Sequence, residues 1–281
     1  MNPPDEAVAR RMHDAAQRGR VAANDRAYLE LAVGFARAGL RPLFLKGPVT
    51  RAAMGEAGAV RPSTDVDVLV APAERRAAER LLRSWGYARR RGVHADCWTR
   101  RGSADIDLHW TIARSGVHPR SVWAILDEHR ASVRVAGGTI PGFDDAATIV
   151  HLALHLTQND SDRPVDDLAA ALDHLGDDPL DDAVAIASAL RVSTSVAWAF
   201  VRIGRDEVAS RFGPAHLDPN TPFEAGTLAF LASPVFWREK VERAARNAEN
   251  WLRFQTRRLV RFVTGRSATN RRIGAWLRRA R

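Results

Sequence analysis

Four acidic side chains in two short motifs carry the best-defined chemistry of this sequence. Asp65-Val-Asp67 and Asp105-Ile-Asp107 each place two carboxylates two residues apart. On a β-strand this spacing directs both side chains to one face, with Cα atoms roughly 6–7 Å apart. Like charges this close repel each other unless a cation lies between them. Because Mg²⁺ prefers carboxylate oxygens together with substrate phosphates, the pattern predicts a magnesium site.

The second motif strengthens the catalytic interpretation, since either motif alone is also typical of a solvated strand face. If the two strands are neighbours, two metal ions about 3.5–4 Å apart would hold the attacking and leaving oxygens of a phosphoryl transfer. A carboxylate of the second motif would then be placed to accept the proton of the attacking hydroxyl. His109 shares its face and is interpreted either as a substrate contact or as a structural histidine bonded to a backbone carbonyl.

The elements that must hold these carboxylates form a small mixed sheet at about residues 40–142. The first 40 residues predict a helix that stops at Gly39. Apolar or alternating segments predict the strands that follow. The predicted elements are a strand at 42–46, a helix at 48–57, a strand at 65–70, a helix at 72–85, a strand or hairpin at 87–101 and a strand at 104–112, closed by the glycine-rich stretch 137–142.

Beyond Asp144, a good N-cap residue, the pattern predicts helices only. They are expected at 144–158, 165–175, 180–190, 194–212 and, after a loop at 213–222, from 223 to the end. The fold class is therefore α+β, with a small mixed sheet and flanking helices followed by an all-helical part. We expect a catalytic domain with N-terminal helices at 1–142 and a helical domain at 143–281.

Composition excludes several other classes of protein. Cys97 is the only cysteine in 281 residues, which excludes an internal disulfide framework and a zinc site built from cysteines. No apolar run approaches the roughly 18 residues that a membrane-spanning helix needs. The N-terminus lacks the apolar core of a secretory signal, so we expect a cytoplasmic protein.

The net charge of +9 is concentrated at the C-terminus. Residues 238–281 hold 14 Arg or Lys and 3 Asp or Glu, interleaved with apolar residues as in an amphipathic helix. Solvated arginines above a packed apolar stripe are one interpretation of this basic tail. A surface for RNA, an acidic partner or an anionic membrane is the other.

Several motifs occur in an order that is similar to a known family. The sequence resembles the uncharacterised bacterial nucleotidyltransferases of the DNA polymerase β superfamily. The resemblance lies in Leu45-Lys46-Gly47-Pro48, Arg61-Pro-Ser-Thr-Asp65-Val-Asp67-Val-Leu-Val70, Gly86-Tyr87, Asp105-Ile-Asp107-Leu-His109-Trp110, His151-Leu-Ala-Leu-His155 and Arg163-Pro-Val-Asp-Asp167-Leu. Together these motifs cover roughly residues 40–175.

The resemblance implies a role for each motif. The metal-binding and catalytic carboxylates would be Asp65, Asp67 and Asp107, holding two Mg²⁺ ions. The nucleotide site would comprise Lys46, Gly47, Arg61 and Ser63, with a helix N-terminus facing the phosphates. Pro48 stands where the superfamily usually has a small residue, and it donates no N–H to a phosphate.

The acceptor would bind near His109, His155 and Asp167, in a cleft between the two halves. His151 and His155 also have a spacing used for zinc, but no third ligand is evident, and a polar pair in the core is the other interpretation. The implied activity is transfer of a nucleoside monophosphate from an NTP to a hydroxyl-bearing small molecule, peptide, protein or RNA. The alternative is a catalytically degenerate module that binds RNA or an acidic partner through the basic tail.

Overall fold

The computed structural model describes residues 3–213 except 60, 62, 64, 93–94 and 159–161. All of these lie within one compact unit, Met1–Thr227. The basic tail and the helices predicted from residue 223 onward lie outside the described residues. Among the described helices, none combines the length and apolar character that crossing a bilayer requires.

A five-stranded mixed sheet forms the centre of the described structure. Its strands are β1 (Leu43–Phe44), β2 (Asp65–Leu69), β3 (Ala88–Arg90), β4 (Ala95–Thr99) and β5 (Asp105–His109). Their spatial order is β1-β2-β5-β4-β3, with β2 and β5 parallel and the other neighbours antiparallel. This is the mixed sheet that the sequence predicts.

The period-2 pattern of the strands separates an apolar face from a polar one. Val66, Ile106 and Trp98 lie side by side on β2, β5 and β4, and all three are fully buried. The side chains that alternate with them, including Asp67 and Asp107, therefore point to the other face of the sheet. Burial of the apolar face holds the strands that carry the carboxylates.

Nine helices lie in the described part of the chain. They are α1 (Pro3–Arg37), α2 (Pro48–Ala53), α3 (Arg75–Ser84), α4 (Pro119–Glu128), α5 (Asp145–Gln158), α6 (Arg163–Leu175), α7 (Leu180–Ala189), α8 (Ser193–Arg202) and α9 (Asp206–Arg211). A short 3-10 helix, Gly55–Gly58, follows α2. The long helix α1 buries Tyr28, Leu31 and Phe35, whose spacing places them on one side of a helix.

Helix α5 is the centre of the helical part, and ten of its residues are buried. It packs against α6, α7 and α8, and it also contacts α2 from the sheet region. Asp144 precedes it as predicted, and its Oδ1 accepts a hydrogen bond from the Ala147 amide at 2.9 Å. Because α5 contacts elements of both predicted domains, it connects the strand-rich and helical parts. The domain boundary at 142/143 stays a prediction.

Three details of the chain differ from the sequence prediction. Helix α4 lies between residues 112 and 137, where the sequence pattern predicts no particular element. The stretch 137–142 does not simply close the sheet, because β6 (Arg130–Val135) and β7 (Gly138–Phe143) form a separate two-stranded sheet. The single helix predicted at 194–212 is wrong, since Gly204 adopts φ +73° and separates α8 from α9.

Candidate active site

Two carboxylates from neighbouring parallel strands meet on the polar face of the sheet. Asp67 of β2 lies directly beside Asp107 of β5, and Asp65 lies beside Asp105. Ligand atoms of Asp67, Asp107 and His109 all lie within 4.8 Å of one another. The register of one strand pair therefore brings together acidic groups that are 40 positions apart in the sequence.

Asp67 is the most buried of these carboxylates, with 1% of its surface exposed. Its Oδ1 accepts a hydrogen bond from Lys46 Nζ at 3.1 Å and lies 3.0 Å from His109 Nε2. Burial alone raises the pKa of a carboxyl group, but the His109 hydrogen bond and the Lys46 charge hold the pKa of Asp67 well below its usual range. Its Oδ2 is buried without a hydrogen-bond partner among the described residues.

Asp65 lies at the more open end of β2. The Ser63 hydroxyl donates to its backbone oxygen at 2.8 Å and lies 3.3 Å from its Oδ1. Burial, and then the negative charge of Asp67, raise the pKa of Asp65, with a further contribution from Asp107. The charge of Lys46 acts in the opposite direction on the pKa of Asp65, as the charge of a bound cation would.

Gly47 forms the turn between β1 and α2, beside the carboxylates. Its backbone has φ +60° and ψ −110°. A Cβ atom at this position would lie 2.5 Å from the hydroxyl of the buried Tyr28. That hydroxyl in turn donates to the backbone oxygen of Asp65 at 3.3 Å. Glycine therefore lets the chain approach the tyrosine that supports the metal-site strand, which makes Tyr28 a supporting residue that the sequence pattern did not single out.

Arg61 and Asp167 form a buried two-pronged ion pair that links the loop before β2 to α6. Nε and Nη2 of Arg61 donate to the two carboxylate oxygens of Asp167. Asp167 is 2% exposed. The structure thus brings together a predicted nucleotide contact and a predicted acceptor contact. Arg163 lies close by, and burial followed by the charge of Arg61 lowers its pKa.

His151 and His155 of α5 lie on the side of the helix that approaches the carboxylates. Burial and then the nearby Lys46 lower the pKa of both histidines, that of His155 to about 4. The negative charge of Asp67 acts on both in the opposite direction. In the described residues the metal-ligand cluster contains neither of them, so zinc binding by this pair receives no support.

Cys97 is a neighbour of the site that the sequence analysis did not connect with it. On β4 it lies directly beside Asp107, so both side chains occupy the polar face. Burial, and then the charge of Asp107, raise the pKa of its thiol. The alternation of β4 in the sequence indicates the face on which Cys97 lies. Only the register of β4 against β5 shows that its neighbour is Asp107.

The donor set fits a divalent cation. Three carboxylates lie near one another on rigid strands, and Asp67 Oδ2 is a buried acceptor without a protein donor in the described part of the chain. Lys46 already supplies one positive charge to Asp67, which reduces the desolvation cost of a buried carboxylate. The residues that would hold the cation are Asp65, Asp67 and Asp107, with His109 adjacent.

The mixed sheet, its polar face and the sequence family together define the chain as a nucleotidyltransferase. It belongs to the family described as uncharacterised nucleotidyltransferases, whose sequence model matches residues 2–203. The match spans most of the chain and confirms the resemblance drawn from the motifs. No match to the sequence of a curated protein was found.

Two solved structures show a distant similarity. One is the solution structure of the antibiotic-resistance factor ANT(2'')-Ia, with 14% identity and a TM-score of 0.43 over 63% of this chain and 92% of that chain. The other is an antigenic nucleotidyltransferase-like protein from Paracoccidioides brasiliensis, with 15% identity and a TM-score of 0.39 over 60% of this chain and 93% of that chain. The family assignment rests on the sequence match.

Proposed function

We propose that the protein transfers a nucleoside monophosphate from an NTP to a hydroxyl-bearing acceptor, with two Mg²⁺ ions held by Asp65, Asp67 and Asp107. The observation that supports this most is the pairing of Asp67 with Asp107 on parallel strands, with ligand atoms within 4.8 Å. Two acidic groups are held together on a buried base, where a bound cation would reduce the repulsion between them. A strand face that only contacts solvent does not require clustered, buried carboxylates.

The proposed reaction replaces one phosphoester link with another. The acceptor oxygen bonds to the α-phosphorus of the NTP, the bond to the β-phosphate oxygen breaks, and pyrophosphate leaves. Asp107 accepts the proton of the acceptor hydroxyl, because it is less buried than Asp67 and borders the same cluster. Bound Mg²⁺ would neutralise the charge on the phosphate oxygens.

The positive groups around the carboxylates are suited to the triphosphate. Lys46 and Arg61 are both partly buried, so their charges are weakly screened by solvent. The Ser63 hydroxyl bonds to the backbone oxygen of Asp65, and the Gly47 turn lies against the Tyr28 hydroxyl that bonds to the same oxygen. On the acceptor side we place His109 and His155, with Asp167 behind them in its ion pair with Arg61. We also propose that residues 1–142 form the catalytic domain and 143–281 the helical domain.

The test follows transfer of label from α-³²P-NTPs in the presence of Mg²⁺ and cell extract. Asp67→Asn and Asp107→Asn preserve side-chain size while removing a charged ligand, and we expect each to lower labelling by at least about 100-fold. Chelation of the metal with EDTA should abolish labelling. Thermal unfolding of each variant establishes that the fold is retained.

Asp105→Asn is the matched control. Asp105 lies on the same strand and face as Asp107, but it is exposed and is not among the clustered ligands. It should keep most of the wild-type labelling. Equal labelling by the wild type and Asp67→Asn would refute the proposal, as would a wild-type protein that labels nothing above the variant background.

A further inference from the structure

We infer that His109 is itself a metal ligand, so that one of the two ions is bound by a mixed nitrogen and oxygen set: Asp67, Asp107 and His109. This inference rests on the proposed function, because it concerns the same site. It adds a fourth ligand to the three carboxylates and predicts which metal the site favours. The expected consequence is preference for Mn²⁺ over Mg²⁺ at this position.

The position of His109 supports ligation. It follows Asp107 by two residues on β5, so both side chains lie on the polar face of the sheet. The side chain is 8% exposed and therefore has little freedom to turn toward solvent. In the parallel register His109 lies beside Leu69, two residues beyond Asp67, and its Nε2 reaches Asp67 Oδ1 at 3.0 Å.

The distance between the two side chains suits a shared ion as well as a hydrogen bond. His109 Nε2 and Asp67 Oδ1 are 3.0 Å apart. Two ligand atoms on adjacent corners of an octahedron, each bonded at about 2.1 Å, also lie about 3 Å apart. An ion could therefore replace the hydrogen bond without moving either backbone, provided that Nε2 is the unprotonated nitrogen.

Ligand chemistry gives the preferred metal. Carboxylates and water suit Mg²⁺ and Mn²⁺ alike, whereas imidazole nitrogen suits first-row transition metals and is a poor ligand for Mg²⁺. With oxygen ligands alone, Asp67 and Asp107 would discriminate little between the two ions. A His109 ligand should favour Mn²⁺, and its removal should reduce the difference between the Mn²⁺ and Mg²⁺ affinities.

The competing role for His109 is to position Asp67 through the hydrogen bond, with no contact to the ion. Both roles predict a loss of activity on substitution, so activity does not separate them. The electron spin echo modulation of bound Mn²⁺ does, because a directly bonded nitrogen gives a strong coupling to the electron spin and a more distant imidazole does not.

The experiment uses the full chain loaded with Mn²⁺ alone. We expect nitrogen coupling in the wild type, its retention in His155→Gln, and its loss in His109→Gln with Mn²⁺ still bound. His155 is the matched control because it approaches the same carboxylates from α5 but lies outside the ligand cluster. Competition binding should show Mn²⁺ affinity falling at least about 10-fold in His109→Gln while Mg²⁺ affinity changes less than about 3-fold.

The other outcomes contradict either the His109 inference alone or the proposed function as well. If the wild type binds Mn²⁺ without nitrogen coupling, or if coupling persists in His109→Gln, His109 is not the ligand and the carboxylate site stands. If the wild type binds no Mn²⁺, or Asp67→Asn binds it equally well, the proposed function fails too. His109→Asn, and wild type labelled with ¹⁵N-histidine, keep the test decisive should His109→Gln not fold.

Discussion

Acid should destabilise this protein in part through His155, and substitution of that residue should reveal by how much. In the folded chain burial, and then Lys46, lower the pKa of His155 from 6.5 to about 4. The unfolded chain therefore binds a proton on this residue below about pH 6.5, whereas the folded chain binds it only near pH 4. Since protons favour the unfolded state, this contribution to stability is complete above pH 6.5 and is lost as the pH falls toward 4.

The pKa difference sets the size of the effect. Between pH 7.5 and pH 5.0, a histidine with pKa values of 6.5 unfolded and about 4 folded lowers the free energy of unfolding by about 2 kcal/mol. The full loss, below pH 4, is about 3 kcal/mol. Other buried groups also titrate, His151 among them. Only a comparison of variants therefore isolates the contribution of His155 to the pH dependence of the free energy of unfolding.

The assay is urea unfolding of the wild type and His155→Gln at both pH values. Glutamine keeps hydrogen-bonding capacity without titrating, so the variant should lose about 2 kcal/mol less than the wild type between pH 7.5 and 5.0. His13→Gln is the control, because His13 is an exposed residue of α1. This variant should show the same change in the free energy of unfolding between pH 7.5 and 5.0 as the wild type. Identical pH dependence of wild type and His155→Gln would refute the burial of His155 near Lys46.

Two further predictions concern residues that hold the site rather than act in it. Gly47→Ala should lower the free energy of unfolding by at least about 2 kcal/mol, because its φ of +60° is strained for alanine and the new Cβ would meet the Tyr28 hydroxyl; a urea midpoint equal to that of the wild type would contradict this. Asp96→Ala should lower the free energy of unfolding by about 1.5–3 kcal/mol, since Asp96 is 1% exposed and pairs with both Arg75 and Arg89, which would then keep only Glu79 as a shared carboxylate. Thermal unfolding measures this loss, and an unchanged midpoint would exclude the network as a source of stability.

The elements that were predicted correctly are those that local sequence patterns determine. Alternation at Asp65–Leu69 and Asp105–His109 requires two half-buried strands, because a helix would scatter these apolar residues around its surface. The N-cap at Asp144 marks the start of α5 for an equally local reason, a hydrogen bond to an amide three residues away. Such features depend on neighbours in sequence, so the sequence is enough to find them.

Pairing between distant elements is where sequence reasoning stops. The alternation of β2 and β5 is the same whether the strands are adjacent or separated, and β3 and β4 lie between them in the chain. Only the register of the folded sheet places Asp107 between Asp67 of β2 and Cys97 of β4. The break between α8 and α9 was missed for a different reason, since an apolar pattern can continue across a glycine that ends a helix.

The ion pair of Arg61 with Asp167 changes how both residues fit a nucleotide site. Asp167 engages Nε and Nη2 of the guanidinium, which leaves Nη1 as the edge available to an anion. A guanidinium held this way would lose little conformational freedom on meeting a phosphate. Because Asp167 is 2% exposed, a direct contact with an acceptor would require breaking that pair at the cost of a buried, uncompensated charge. We therefore propose that Asp167 contributes to transfer through Arg61, by fixing the arginine that would contact the phosphates.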